Sequence, residues 1–126
     1  ITYGDWSSDV CSSDLDRAIL NFHAPPKDST LDTCPRLDDS TDPPSQVVVA
    51  GQPVLHGAGS SAVRSAIERH QPLLGLHGHI HESAAIARLG RTLCINPGSQ
   101  YGEGVLKGAL LTLADGKVEG YQLTTG

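Results

Sequence analysis

The sequence predicts an α/β fold, α+β layered, with one mostly complete sheet and a covering helix. Three observations predict it. A helical period near residues 61–70 ends at Gln71-Pro72 and passes at once into the apolar run Pro72–Leu76. Two pairs of apolar runs surround Gly90 and Asp115-Gly116, both hairpin signals. Two apolar runs also end in histidine: Ala18-Ile19-Leu20 leads to Asn21-Phe22-His23, and Pro72–Leu76 leads to His77-Gly78-His79-Ile80-His81.

In chain order, residues 1–15 lack an apolar period of either kind, and Ser7-Ser8-Asp9 recurs as Ser12-Ser13-Asp14. Residues 5–15 resemble a translated sequencing adapter, so residues 1–15 are expected to be artefactual or disordered and are set aside. Removing Asp5, Asp9 and Asp14 takes the net charge from −5 to −2. A balance that mild gives no strong nucleic-acid signal. Arg17 to Phe22 reads as a short buried strand, left in extended backbone because Ala24 precedes Pro25. Residues 27–45 are polar and carry Pro35, Pro43 and Pro44, which predicts a solvated loop or a lid over a site. Gln46 to Ala50 suits a brief edge strand. Ser60 or Ser61 is placed to cap a helix running to about His70, with Ala62, Val63, Ala66, Ile67 and His70 on one face.

Pro72 to Leu76 is the next strand, and its C-terminal end delivers the histidine block. Ala84 to Leu89 and Thr92 to Ile95 follow around Gly90. Asn96-Pro97-Gly98-Ser99 is a turn by its residue chemistry. Val105 to Leu113 and Lys117 to Leu123 flank Asp115-Gly116. Gly102, Gly104 and Gly108 suit a bulge or close packing. No apolar run approaches the length of a membrane span, which makes no membrane contact and a cytoplasmic location the expectation. Cys34 and Cys94 lack Cys-x-x-Cys spacing, so neither a zinc knuckle nor a redox pair is expected, and Cys94 reads as a small buried strand residue.

The chemistry concentrates in the imidazoles. In extended backbone, residues two apart point to the same side, so His79 and His81 are expected to aim into one site. Imidazole is the commonest protein ligand for transition metals. His23 would sit at the end of another strand. His56, His70 and His77 read as surface or core residues without a ligand role. Glu82 reads either as an acceptor orienting an imidazole or as an exposed carboxylate. Tyr101 and Glu103 read either as substrate-facing or as plain surface.

Gly78-His79-Ile80-His81, followed by Ile95-Asn96-Pro97-Gly98-Ser99 and preceded by Asn21-Phe22-His23-Ala24-Pro25-Pro26, resembles the C-terminal end of the calcineurin-like metallophosphoesterases, in particular the Icc-related prokaryotic branch. The resemblance runs from about Arg17 to about Leu123 and is weak between Lys27 and Gln52. It implies the C-terminal half of a four-layer α-β-β-α sandwich, with residues 16–126 as the C-terminal part of the domain. It also implies hydrolysis of a phosphoester substrate, monoester or diester, with two divalent metal ions, Mn, Fe, Zn or Co. By resemblance His23 and His79 would ligate one metal and His81 the other. Two metals about 3.5–4 Å apart lower the pKa of a shared water and clamp the attacking and phosphoryl oxygens. The ligands must be neutral to bind, so affinity should fall with acidification through roughly pH 6–7.

The family's Asp-x-His, Gly-Asp and Gly-Asn-His blocks do not occur in residues 16–126. The histidine that assists leaving-group departure belongs to the last of these, so no catalytic or substrate-binding residue is assigned. The chain is expected to be truncated and inactive as it stands, and its parent an enzyme. The alternative is a non-catalytic binding scaffold with the same fold. Two other His-x-His classes fit less well: Glu82 directly follows His81, unlike the cupin spacing, and Glu82-Ser83-Ala84 is not the Asp-His continuation of a metallo-β-lactamase.

Overall fold

The computed structural model describes residues 15–126. The expectation for residues 1–15 therefore lies, apart from Leu15, outside the described residues. Among those described, the elements begin with β1 (Ile19–Asn21), β2 (Thr33–Pro35), β3 (Leu37–Asp38), β4 (Ser45–Gln46), β5 (Val48–Val49), β6 (Gln52–Pro53) and β7 (Leu55–Gly57). Then come helix α1 (Ser61–His70), β8 (Leu74–Leu76), β9 (Ala85–Leu89), β10 (Thr92–Asn96), a single 3-10 turn (Tyr101–Glu103), β11 (Lys107–Ala114) and β12 (Lys117–Thr125).

The central sheet has the order β1-β8-β10-β9. β1 and β10 both run parallel to β8, and β9 closes antiparallel on β10. Period-two alternation divides this sheet between two cores. Leu74 of β8 and Leu93 and Ile95 of β10 face one way, where Ile86, Ala109, Leu111, Val118 and Leu123 cover them. Cys94 and Leu89 face the other way, where Leu31 and Ile67 pack and Val63, Ala85 and Ala87 close the edge. The layers are therefore helix, four-stranded sheet and β11–β12 hairpin. Both faces of β10 are buried, as expected of a central strand with a layer on each side. The fold is mixed α/β.

Helix α1 forms where its caps dictate. Ser60 is the N-cap, in extended backbone, and its hydroxyl accepts from the Val63 N–H at 3.2 Å. Gln71 ends the helix in the left-handed region with φ 46. Its amide donates to the carbonyls of Ile67 and Leu89, and its Oε1 accepts from the Arg91 N–H at 2.8 Å. One side chain thus ties the helix end to the β9–β10 turn. The apolar face is narrower than expected: Ile67 is fully buried and Val63 half-buried, while Ala62 and His70 are exposed.

The expectation of a solvated loop over 27–45 needs correction. Leu31 and Asp32 are fully buried and Ser29 nearly so. Asp32 accepts from the backbone N–H groups of Asp28, Ser29 and Gly59, which lets a carboxylate sit inside without a cation. A Cβ at Gly57 would lie 2.7 Å from the same carboxylate. β2 pairs with β7, and the continuous exposed stretch that composition predicts is confined to residues 36–45, with Lys27, Asp28 and Thr30 exposed singly or in a pair before it. The segment 46–50 is not one edge strand but is split between β4, which pairs with β3, and β5, which pairs with β6. The bulge also falls elsewhere. It lies between Thr112 and Leu113, opposite Gly120 and Val118, and not at Gly102, Gly104 or Gly108.

Candidate metal centre

Neighbouring parallel strands bring the two histidine blocks together. β1 and β8 are in register from Ile19 opposite Leu74 to Asn21 opposite Leu76, so their C-terminal ends stop side by side. The pairing continues as the Phe22 N–H donates to the Leu76 carbonyl at 3.1 Å and the Gly78 N–H to the His23 carbonyl at 2.9 Å. The imidazoles of His23 and His79 then meet edge to face, with ring centroids 5.2 Å apart and planes at 71°. His23 lies over Gly78: a Cβ there would be 3.5 Å from His23 Nδ1, an ordinary contact.

The extended geometry expected for the His-x-His segment is not what forms. β8 ends at Leu76, and His79 has φ 64, the left-handed region that non-glycine residues rarely occupy. The Ile80 N–H closes back on the Gly78 carbonyl at 2.7 Å. The turn separates the two rings. His79 faces His23, whereas His81 packs edge to face on Tyr101, with centroids 5.6 Å apart and planes at 88°. His79 and His81 still border one cavity of about 260 Å³, shared with Cys34, Gln46 and Glu82. His81 and Glu82 border a second cavity of about 480 Å³ with Ser99, Glu103 and Lys107. Among the described residues, no group of three or more His, Cys, Asp or Glu is arranged to hold a metal ion. The donors present therefore fit a metal only in part: the His23 and His79 rings are in contact, and His79 shares a cavity border with His81.

The Asn-Pro-Gly-Ser turn underlies this loop. Asn96 is fully buried at the end of β10. Its amide donates to the carbonyls of Ile80 at 2.9 Å and Leu31 at 3.0 Å, and its Oδ1 accepts from the Gly98 N–H at 2.9 Å. The Ser99 N–H donates to the His81 carbonyl at 3.1 Å. Gly98 has φ 73, and a Cβ there would stand 2.8 Å from that carbonyl, so glycine permits the close approach. Ser83 adds a second anchor: its hydroxyl donates to the Thr30 carbonyl and accepts from the Thr33 N–H. Residues 30–33, assigned to a solvated loop by composition, instead form the floor of the histidine turn.

His77, given no role from the sequence, is 6% exposed. Its Nδ1–H donates to the carbonyls of Phe22 at 3.0 Å and Ala24 at 3.2 Å. Its Nε2 is buried without a partner. Burial holds the ring below the usual imidazole range, and the two carbonyls offset part of that. A legible signal existed: His77 continues the β8 alternation on the same face as Gly75, toward the interior. Cys94, on that face too, is fully buried, and burial pushes its thiol up to about 11. His56 is exposed on β7 opposite Cys34, and His70 is exposed at the helix end.

Comparison of the chain with family models, with curated proteins and with solved structures finds no match. No helix among the described residues is long and apolar enough to cross a membrane.

Proposed function

We propose that the chain carries part of the metal centre of a phosphoester hydrolase of the calcineurin-like type, with His23 and His79 on one metal and His81 on the other. The observation that supports this reading most is the meeting of the His23 and His79 rings at the ends of two adjacent parallel strands. Sites in parallel sheets commonly lie at this end. Divalent metals there would supply charge neutralisation and an acidified water for attack on phosphorus. The chain's own residues would hold and space the ligands, and the cavity beside His81 offers room for a substrate group. The remaining donors would come from blocks that residues 16–126 do not contain, completing the four-layer sandwich. The chain by itself is accordingly expected not to turn over phosphoesters.

The test is metal uptake. Calorimetric titration with zinc or cobalt should show binding that His23→Ala or His79→Ala weakens at least tenfold, and that His56→Ala leaves unchanged. Equal affinity in all four proteins would overturn the assignment. One observation favours the alternative of a non-catalytic scaffold: the described residues hold no group of three convergent donors. Asp-x-His, Gly-Asp and Gly-Asn-His blocks in the parent's coding sequence would select the enzyme, and degenerate ones the scaffold.

A further inference from the structure

The geometry points to His77 as the positioning residue of this site, setting the place of His23 against His79 by holding the backbone on both sides of His23. Phe22 and Ala24 flank His23, and both their carbonyls are taken by the single Nδ1–H of His77. The carbonyl of His23 itself is taken by the Gly78 N–H. Three consecutive carbonyls across the His23 turn are thus held by two consecutive residues of the histidine block. The turn has no freedom to slide along β8 without losing all three bonds.

The ring chemistry narrows the role. Carbonyls only accept, so Nδ1 must carry the proton, and Nε2 is left with a lone pair. That lone pair is buried and unpartnered. It faces the side where a Cβ at Gly75 would stand 2.7 Å away and where the Cys94 thiol also lies. An aliphatic side chain would suit that half of the ring's surroundings better. What such a residue lacks is the forked donation to Phe22 and Ala24. In metal sites, a donor or acceptor behind the ligand usually grips the imidazole itself. Here the grip is on the ligand's backbone, one residue to either side.

Three substitutions separate this role from simple filling of the core. Asparagine places an amide N–H close to where Nδ1–H stands, while leucine keeps the volume without a donor. Glutamine carries its amide one carbon farther out. In the full chain, long-range nitrogen–proton NMR of the imidazoles is expected to show His77 as the Nδ1–H tautomer. The cross-relaxation between His23 and His79 ring protons should persist in His77→Asn and vanish in His77→Leu and His77→Gln. Where zinc binds, affinity should stay within about threefold in His77→Asn and fall about 10- to 100-fold in the other two. An Nε2–H tautomer, a His23–His79 contact that survives in His77→Leu or His77→Gln, or its loss in His77→Asn would each overturn the proposal. The effect on affinity rests on the metal reading above. If the unmodified chain takes up no zinc, that reading fails and the ring contacts alone decide the role of His77.

Discussion

At the scale of the residue, buried side chains outside the His23, His79 and His81 set hold the backbone of the site. Asn96 is the clearest case. Its three hydrogen bonds reach the Ile80 carbonyl between the two site histidines, the Leu31 carbonyl in the floor and the Gly98 N–H of its own turn. The bonds to Ile80 and Leu31 are buried and the bond to Gly98 is half-buried, so truncation would leave two acceptors without water and one donor partly hydrated. Unsatisfied buried groups cost about 1–3 kcal/mol each and do not add fully. Asn96→Ala is therefore expected to destabilise the chain by about 3 kcal/mol in denaturant unfolding. Asn96→Asp should do no better, because a carboxylate presents oxygen to two carbonyls. A loss under about 1 kcal/mol would show that the loop is held by other means. Asn96 was legible in sequence as a turn residue. Its long-range bonds to Leu31 and Ile80 were not, because a sequence does not show which distant carbonyls arrive beside a side chain.

At the scale of the element, the junction of α1 with the β9–β10 hairpin couples local rules to one another. Gly90 is a turn glycine with φ 63, as its place between two apolar runs suggests. A Cβ there would also fall 2.0 Å from Gln71 Oε1. Gly90→Ala thus combines about 1 kcal/mol of left-handed backbone strain with displacement of the side chain that caps α1. The expected loss is about 2 kcal/mol or more. In a Gln71→Ala background the same substitution should cost only the backbone share. Strict additivity in that double-mutant cycle would show that the contact carries no energy. Element identities were largely readable here, since Ser60, Gln71, Gly90 and Asp115-Gly116 are local signals. The segment 29–35 was not. Its composition is that of a loop, and only the three backbone N–H groups that converge on Asp32 make its burial affordable.

At the scale of the whole molecule, three layers leave apolar surface uncovered. Leu110, Leu113 and Tyr121 are exposed on the hairpin, Leu106 precedes it at 76% exposed, and Val48, Val49 and Leu55 are exposed among the short strands. β1 stands at one edge of the central sheet, with Ile19 and Phe22 open to solvent. Apolar patches beyond roughly 300–600 Å² and open strand edges favour association. The chain is expected to form concentration-dependent oligomers in sedimentation velocity. A monodisperse monomer with a sharp cooperative melt would show that these faces need no cover.

The sequence by itself determined the order of the main elements, the approximate limits of the helix, both hairpins and the placing of His23 and the histidine block just after two strands. These follow from local periodicity and turn chemistry, which act over a few residues. Tertiary structure alone decided which ends of which strands are neighbours, and so that His23 meets His79. It also decided that the His-x-His turn leaves the extended path, sending His81 toward Tyr101. The burial of Asp32 and Asn96 and the grip of His77 on the His23 turn belong to the same level. Each depends on hydrogen bonds between residues far apart in the chain, whose partners exist only once the sheet has been assembled.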